Sequence, residues 1–309
     1  MRIGVLDIGS NTVHLLLVDA HYGAAPIPAS KLKIPLRLAE HLLPDGSIDE
    51  TAVTTLIDFI KDSQHLAEDK GATQVMAFAT SAIREAANGD EVLARMRRET
   101  GLAVDVLSGA DEARMTYLAV RRWFGWSAGR LLVMDIGGGS LEFAAGLDEE
   151  PDVAVSVPLG AGRVTRSHLV GDPPQQESLR ALRRHARAEI AAVAGRIRRM
   201  GEPRIAAGSS KTLKQLARIA GAAPSVDGIY VPRVLSRAQL RDLVDRMSRM
   251  STKELVKLPG VSEGRAGQLT AGAIVAEAAM DILEIEELSI CPWALREGVI
   301  LHHLDGLTQ

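Results

Sequence analysis

The sequence predicts an α/β protein built from two similar domains, and three observations lead to that prediction. A strand followed by Asp and glycine occurs twice, at residues 2–12 and 130–140. Between and after these copies, short apolar runs alternate with amphipathic stretches, an alternation typical of layered α/β folds. The chain has 309 residues, of which 46% are hydrophobic, and this is enough to bury two ordinary cores.

The repeat sets the predicted domain limits. Each copy has an apolar strand, then Asp, an apolar residue, and glycine with small hydroxyl or amide residues, and a second apolar strand follows. Asp7 and Asp135 are equivalent positions, 128 residues apart. We therefore expect domain I at residues 1–125 with a closing helix at residues 293–309, and domain II at residues 126–292.

In the first half, the second strand of the repeat is expected at residues 13–18. A helix at residues 49–70 is predicted because Val53, Leu56, Ile57 and Ile60 share one face and Gly71 follows. The other elements expected here are strands at 75–79 and 104–107, a helix from Asn88 or Asp90 to Thr100, and a helix at 111–123.

The second half continues the alternation. Ser236 with Gln239 and Ser251 with Glu254 have the spacing of capping boxes, which predicts that a helix begins at each. Further elements are expected as strands at 141–145, 152–157, 204–207 and 288–290, and helices at 176–200, after Ser210 to 220, 262–283 and 293–304. The helix at 176–200 carries seven arginines, for which we expect a solvated face.

Composition argues against several classes of protein. The net charge of −3 gives no support to nucleic-acid binding, and the single Cys291 excludes an intramolecular disulfide. The N-terminus becomes acidic at Asp7 and does not resemble a signal peptide. The apolar stretch at 271–280 is too short to cross a bilayer. We expect a cytoplasmic protein with neither nucleic acid nor membrane as a partner.

The two glycine segments are the first candidates for a phosphate site, because glycine lets main-chain N–H groups approach an anion. The candidate phosphate-binding residues here are Gly9, Ser10, Asn11, Thr12, Gly137, Gly138, Gly139 and Ser140. Neither segment has the Walker or dinucleotide-binding pattern. Asp7 and Asp135 end the preceding strands and are suited to hold Mg²⁺ or its waters. Two ordinary glycine hairpins are the alternative interpretation.

Several motifs in order resemble one family, that of exopolyphosphatases and guanosine pentaphosphate phosphohydrolases. The matching segments are residues 7–12, 80–88, 108–114, 135–142, 158–163 and 295–298. The resemblance runs from Arg2 to Leu301. It implies two RNase H-like domains of the actin-like ATPase superfold with a cleft between them, in the short form without an extra helical domain, and a homodimer.

The resemblance also implies roles for single residues. Glu112 stands where such enzymes carry the carboxylate that activates the attacking water, and otherwise it is a helix residue favoured by the dipole. Asp135 and Glu142, with Asp7, are the candidate ligands of Mg²⁺ or Mn²⁺. A plain surface carboxylate is the alternative for Glu142, whose counterpart in the first repeat is His14.

Further phosphate contacts are expected from arginine and from a strand-to-helix junction. Arg84, which we also expect to act in catalysis, and Arg163 offer bidentate donors, and Ser81 adds a hydroxyl. Ser209 and Lys211 lie where a helix N-terminus favours anions. The family usually has a small residue where this chain has Lys211, which favours contact with a phosphate chain over a nucleotide.

The predicted activity is removal of the terminal phosphate from inorganic polyphosphate, and the short form of the family favours short chains. Hydrolysis of guanosine pentaphosphate to the tetraphosphate is the alternative within the family. A small-molecule kinase and a nucleotide-switched scaffold of the same superfold are the more distant alternatives.

Overall fold

A computed structural model describes residues 1–21, 23 and 25–307. The strands are β1 Arg2–Ile8, β2 Val13–Asp19, β3 Pro28–Ile34, β4 Gln74–Ala79, β5 Asp105–Val106, β6 Leu131–Ile136, β7 Leu141–Gly146, β8 Val153–Val157, β9 Ile205–Gly208, β10 Val234–Ser236 and β11 Glu287–Ile290. The helices are α1 Glu50–Asp69, α2 Ser81–Arg84, α3 Gly89–Thr100, α4 Gly109–Phe124, α5 Ala161–His168, α6 Gln176–Arg198, α7 Lys211–Ile219, α8 Arg237–Met247, α9 Thr252–Leu255, α10 Glu263–Ile282 and α11 Leu295–Gly306.

The chain forms two compact units, which we call unit 1 and unit 2. Unit 1 comprises Met1–Glu112 with Val299–Gln309, and unit 2 comprises Ala113–Gly298. The division falls inside α4 and inside α11, so each of these helices belongs partly to both units. The domain limit expected at residue 125 lies just past the end of α4 and stays a prediction.

The two sheets repeat one arrangement. In unit 1 the strand order is β3-β2-β1-β4-β5, with β1, β2 and β3 antiparallel and with β4 and β5 parallel to β1. In unit 2 the order is β10-β11-β9-β6-β7-β8, where β6, β7 and β8 are antiparallel and β9 and β11 run parallel to β6. The α/β class predicted from the repeat is therefore confirmed.

The central strand of unit 2 shows how the sheet is buried on both faces. Leu132, Met134 and Ile136 pack in the core that contains residues of α6 and α10. Leu131 and Val133 point the other way, into a cluster with residues of α4. Successive side chains of a strand alternate between faces, so a strand covered on both sides is apolar throughout.

Local signals in the sequence set most element ends. Asp49 caps α1 by accepting a hydrogen bond from the N–H of Ala52 at 2.8 Å, and Gly101 ends α3 with a φ of 72°. Both capping boxes form as predicted. The sequence prediction missed β3, β10, α2 and α5. The edge strand β3 carries Pro28 and exposed lysines, which protect a sheet edge and lower the strand signal.

The arginine-rich helix α6 has the solvated face that was predicted. Five of the six arginines within α6 are exposed, Arg183 is half-buried, and Arg199, which directly follows the helix, is also exposed. Arg187 pairs with Asp281 at 2.6 Å and Arg198 with Glu284 at 2.9 Å. Across the described part of the chain, every helix is too short or too polar to span a membrane.

Candidate functional site

The first glycine segment forms the tip of the β1–β2 hairpin, which we call loop 1 (residues 9–12). The N–H of Gly9 donates to the carbonyl oxygen of Thr12 at 3.1 Å and closes the turn. A Cβ on Gly9 would lie 3.2 Å from that oxygen and 3.6 Å from Oδ1 of Asp7. Gly9 therefore shapes the loop, and the carboxylate of Asp7 lies beside it.

Loop 1 is tied to the segment that follows β4. The N–H of Thr80 donates to the carbonyl oxygen of Ile8 at 3.2 Å. The hydroxyl oxygens of Ser10 and Ser81 lie 3.1 Å apart, and both side chains are buried. The structure thus brings together two of the predicted phosphate-binding residues, which are far apart in sequence.

The two residues expected to act in catalysis are in contact within unit 1. Nη1 of Arg84 donates to Oε1 of Glu112 at 2.5 Å and to the carbonyl oxygen of Leu107. The Glu112 side chain is only 10% exposed. Removing either partner of such a shielded pair leaves the other charge uncompensated. Arg84 therefore orients the carboxylate that was predicted to activate water.

Glu112 occupies the first turn of α4 for local reasons. The hydroxyl of Ser108 accepts a hydrogen bond from the N–H of Asp111 at 3.1 Å, and the N–H of Glu112 donates to the carbonyl oxygen of Ser108 at 2.9 Å. Acidic residues are favoured in a first turn by the helix dipole. The helix dipole explains why an acidic residue occupies this position. It does not explain why Glu112 also contacts Arg84.

The second glycine segment forms the tip of the β6–β7 hairpin, which we call loop 2 (residues 137–140). Its turn closes like that of loop 1, because the N–H of Gly137 donates to the carbonyl oxygen of Ser140 at 2.9 Å. The N–H of Ala161, at the start of α5, donates to the carbonyl oxygen of Gly137 at 2.9 Å. A Cβ on Gly160 would lie 2.3 Å from the main chain of Gly139. Only glycine permits this approach.

Arg163 braces loop 2 from the first turns of α5. Its main-chain N–H donates to the carbonyl oxygen of Gly138 at 2.9 Å, and its Nε donates to that of Gly139 at 2.6 Å. The second of these bonds occupies the Nε–H of the guanidinium group. Contact between Arg163 and a substrate phosphate stays a prediction.

Two carboxylates stand directly opposite each other on β6 and β7. Asp135 pairs with Glu142 in the strand register, so both side chains point to the same face with Cβ atoms roughly 5 Å apart. The hydroxyl of Ser209 donates to Oδ2 of Asp135 at 2.5 Å, and that of Ser156 donates to Oε1 of Glu142 at 2.8 Å. The serines hold both carboxylates in place.

The electrostatics of Asp135 differ from those of a surface carboxylate. Although the residue is partly exposed, the surrounding protein desolvates its carboxyl group, which raises its pKa. The hydrogen bond from Ser209 and the charges of Lys214 and Arg265 oppose this rise. A cation beside the carboxyl would favour the charged form further.

These carboxylates suit a hydrated divalent ion. The described residues contain no cluster of three or more His, Cys, Asp and Glu side chains placed to bind a metal. Mg²⁺ does not require one, since it is commonly held by one or two carboxylates with water and substrate phosphates. The partly desolvated Asp135 opposite Glu142 meets that requirement. Asp7 belongs to unit 1, and its share in the metal site stays a prediction.

The junction of β9 and α7 lies beside the end of β6, where loop 2 begins. Ser210 caps α7 by accepting from the N–H of Leu213 at 3.2 Å, and the hydroxyl of Thr212 donates to the carbonyl oxygen of Ile136 at 3.0 Å. Ser209 is fully buried on Asp135, whereas Lys211 is exposed. The junction is thus fixed to the end of β6, beside Asp135.

Sequence reasoning missed three residues that shape this site: Gly160, Ser156 and Lys214. Gly160 lies in the segment 158–163 that matches the family, so the sequence did offer a signal for it. Ser156 and Lys214 are ordinary residues of a strand and a helix. Their roles come from contacts that only the folded chain reveals.

Comparisons with known proteins agree with this geometry. A family model described as the Ppx/GppA phosphatase family matches residues 17–306. Exopolyphosphatase 1 of Mycobacterium tuberculosis is 52% identical over 306 residues, which cover 99% of this chain and 89% of that protein. Exopolyphosphatase 1 of Mycobacterium leprae is 51% identical, with 99% and 90% covered.

Solved structures give the same result. A crystal structure of an exopolyphosphatase from Cytophaga hutchinsonii is similar with a TM-score of 0.88 and 25% identity, covering 99% of this chain and 98% of that one. The Ppx/GppA family member of Aquifex aeolicus gives a TM-score of 0.84 and 26% identity, covering 100% and 99%. The expected fold, two domains of the actin-like ATPase type, is confirmed.

Proposed function

This chain belongs to the Ppx/GppA phosphatase family, and from that premise we propose that it is an exopolyphosphatase, which hydrolyses the terminal phosphate of inorganic polyphosphate. The observation that carries the proposal is the shielded Arg84–Glu112 pair beside a glycine loop, in a chain 52% identical to an exopolyphosphatase. The substrate follows from the names of the relatives, and the residue roles follow from the family resemblance, which the contacts of Arg84, Glu112 and Asp135 support.

The proposed reaction begins with water beside Glu112. The carboxylate accepts a proton as the water oxygen forms a bond to the terminal phosphorus. The bond from that phosphorus to the bridging oxygen breaks, and the shortened chain leaves with its electron pair. Arg84, released from Glu112 in part, donates to the oxygens on which negative charge increases.

The phosphates are held by main-chain and hydroxyl donors. The N–H groups of Ser10, Asn11 and Thr12 and the hydroxyl of Ser81 are the proposed donors from unit 1. The main-chain N–H groups of loop 2, the hydroxyl of Ser140 and the side chain of Lys211 are the proposed donors from unit 2. Ser209 acts on the reaction through Asp135, to which its hydroxyl already donates.

Family membership implies a requirement for a divalent metal, and we propose Mg²⁺, with Mn²⁺ as a substitute. Asp135 and Glu142 would hold the ion, with Asp7 sharing in that role. When bound, the ion supplies positive charge that offsets the charge of the phosphate oxygens. Ser209 and Ser156 keep the two carboxylates oriented toward it.

The direct test is phosphate release, with Mg²⁺ or Mn²⁺, from tripolyphosphate, long-chain polyphosphate, guanosine pentaphosphate and ATP. Release from polyphosphate by the wild type, lost in Glu112→Gln, is expected. Release from guanosine pentaphosphate alone would replace the proposal with the family alternative. Phosphate transfer to a small molecule would favour a kinase, and ATP-dependent filaments without hydrolysis would favour a scaffold.

Two further properties belong to the same proposal. We infer a homodimer, which light scattering on the purified protein would detect as twice the chain mass. We also infer a cytoplasmic location, which fractionation of the source cells would test. A monomer at all concentrations, or recovery with the membrane fraction, would contradict them.

A further inference from the structure

A cavity of about 600 Å³ opens at the end of the unit 2 sheet where β6, β9 and β11 begin. From this end, β6 and β9 run parallel toward the candidate site. Leu131, at the start of β6, lines the cavity, whereas Ile136, at the other end of the strand, is followed by loop 2. At about 3.3 Å per residue, the strand separates these two ends by roughly 17 Å. The cavity is therefore distinct from the loops proposed to bind the substrate.

Two arginines stand side by side in the wall of this cavity. Arg130 and Arg204 directly precede β6 and β9, which pair with Leu131 opposite Ile205. The N–H of Arg204 donates to the carbonyl oxygen of Arg130 at 2.8 Å, and this bond extends the pairing by one residue. Both arginines line the cavity. Because neighbouring strands are roughly 5 Å apart, two cationic side chains leave the sheet at adjacent positions.

These two arginines lack acidic partners. Within the described part of the chain neither forms an ion pair, and the side chain of Arg130 makes one long hydrogen bond, from Nη1 to the carbonyl oxygen of Glu202 at 3.4 Å. Nε of Arg130 is shielded from solvent and has no acceptor among the described residues. A buried donor without an acceptor and a pair of adjacent like charges both cost free energy. An anion that enters the cavity and draws the guanidinium groups toward it would reduce both costs.

Carboxylates also line the cavity, but they do not neutralise Arg130. All of them are exposed, so that water and salt screen their charges: Glu202, Glu284, Glu286 and Glu287. Two already have partners, because Arg198 pairs with Glu284 at 2.9 Å and Arg237 pairs with Glu286. Arg130 is half-buried, so its charge is screened less. An anion is therefore favoured beside Arg130.

Apolar core side chains form another part of the wall. Leu132, Ile197 and Ile285 line the cavity and belong to the core of unit 2. Small-molecule sites commonly combine a volume in this range with apolar walls and a few polar groups. A phosphate group carries nearly two negative charges at neutral pH, which two arginines match, and guanidinium groups bind phosphate through paired hydrogen bonds. These features favour a ligand with a phosphate at one end and an apolar body.

We propose that this cavity binds an organic phosphate, with the phosphate group between Arg130 and Arg204 and an apolar body against Leu132, Ile197 and Ile285. The site is distinct from the polyphosphate site and does not depend on the activity proposed there. Neither half of such a ligand should bind well alone, because the arginines hold the anion and the core side chains hold the body.

Titration calorimetry with 1-naphthyl phosphate tests the proposal, in the absence of divalent metal so that the ester is not hydrolysed. We expect the wild type to bind one molecule per chain. Orthophosphate, which lacks the apolar body, and 1-naphthol, which lacks the anion, should each bind at least about tenfold more weakly. Absence of binding would overturn the proposal. Tighter binding of 1-naphthoate than of the phosphate ester would also overturn it, because the site would then select a carboxylate.

Arg204→Gln locates the binding, because glutamine keeps the aliphatic part of the side chain beside Gly129 and removes the charge. We expect its affinity for 1-naphthyl phosphate to fall about tenfold. Arg199→Gln is the matched control, since Arg199 is exposed nearby in the chain without lining the cavity, and it should bind as the wild type does. Equal binding by Arg204→Gln would overturn the proposal. A loss in Ser81→Ala would overturn it as well, because the ligand would then lie at loop 1.

The midpoint of thermal unfolding gives a second readout. Removing one of two adjacent like charges should raise the midpoint of ligand-free Arg204→Gln by about 1–2 °C. Addition of 1-naphthyl phosphate should then stabilise the wild type more than the variant. A ligand-free variant less stable than the wild type would show that Arg204 supports the fold, and would overturn the paired-arginine site.

Discussion

Unit 1 and unit 2 share a strand arrangement and a turn, yet they carry different chemistry at the same position. The residue opposite the strand aspartate is His14 in unit 1 and Glu142 in unit 2. Both hairpin tips close by one hydrogen bond from the first glycine to the fourth residue. The repeat therefore preserves the shape of the loops, and the metal site that we propose depends on a single difference between the two hairpins.

The two loops are also supported differently. Loop 1 is tied to α2 through the Ser10–Ser81 contact of 3.1 Å between buried hydroxyls. Loop 2 rests against the start of α5, where Gly160 allows main-chain contact. The comparison shows that a duplicated hairpin can keep its turn while the helices around each copy support it in different ways.

The largest effect is expected from exchanging the residues that lie opposite the two strand aspartates, His14 and Glu142. Glu142→His makes the second hairpin resemble the first, and we expect a loss of roughly 100-fold in polyphosphate hydrolysis because a metal ligand is removed. Glu142→Gln, which keeps the shape, should lose nearly as much. The reciprocal His14→Glu should leave most activity, with all three variants measured as initial rates at one Mg²⁺ concentration that half-saturates the wild type. An active Glu142→His enzyme would contradict the assignment of the metal to unit 2.

Gly→Ala substitutions at the two loops test how differently the loops are supported. Gly160→Ala forces a Cβ to 2.3 Å from the main chain of Gly139, and we expect it to lower the free energy of unfolding by about 1–3 kcal/mol. In Gly9→Ala the new Cβ would lie 3.2 Å from the carbonyl oxygen of Thr12, a less severe contact. The free energy of unfolding should therefore fall by less. Chemical denaturation would measure both.

Gly195→Ala is the control for that pair, since a Cβ there meets nothing within 4 Å on α6. It should stabilise the protein by up to about 1 kcal/mol, because alanine favours a helix more than glycine does. A Gly160→Ala protein as stable as the wild type would show that loop 2 moves freely against α5.

The smallest expected effect concerns the caps of one helix in each unit. The pKa of Asp49 is lowered chiefly by the hydrogen bond from Ala52 and then by His41. Because the pKa in the folded state is below that of the unfolded state, this stabilisation is complete above the unfolded pKa and is lost as the pH falls through the lowered value. Asp49→Ala should cost about 1 kcal/mol at neutral pH and less in acid, where the protonated carboxyl keeps only a neutral acceptor.

Ser210 caps α7 without a titratable group, so Ser210→Ala should cost about 1 kcal/mol at every pH where the protein is folded. Asp49→Asn keeps a capping acceptor and should lose little. Thermal unfolding across the pH range would measure all three variants. A penalty for Asp49→Ala that is undiminished in acid would show that the cap does not depend on its charge.

Much of the fold could be predicted from the sequence because its signals are local. The repeat around Asp7 and Asp135, the cap at Asp49 and the capping boxes each depend on a few neighbouring residues. The prediction ended at contacts between distant segments. The bond from Ser209 to Asp135 joins residues 74 apart, and the approach of Gly160 to Gly139 depends on how α5 meets a hairpin. No periodicity in the sequence encodes those distances.

Sequence motifs predicted the residues of the candidate site one by one. They did not predict the contacts between those residues. Glu112 and Arg84 were each expected to act in catalysis, yet their contact at 2.5 Å gives them a shared geometry that neither motif states.

The central claim is a division of labour, with water activation in unit 1 and metal binding in unit 2. A titration of polyphosphate hydrolysis with Mg²⁺, comparing Glu112→Gln and Glu142→Gln, tests it most directly. We expect Glu112→Gln to lower kcat by about 100-fold or more without changing the Mg²⁺ concentration for half-maximal rate. We expect Glu142→Gln to raise that concentration by about 10–100-fold. An equal shift in Mg²⁺ dependence for both variants, or full activity of Glu112→Gln, would contradict the account.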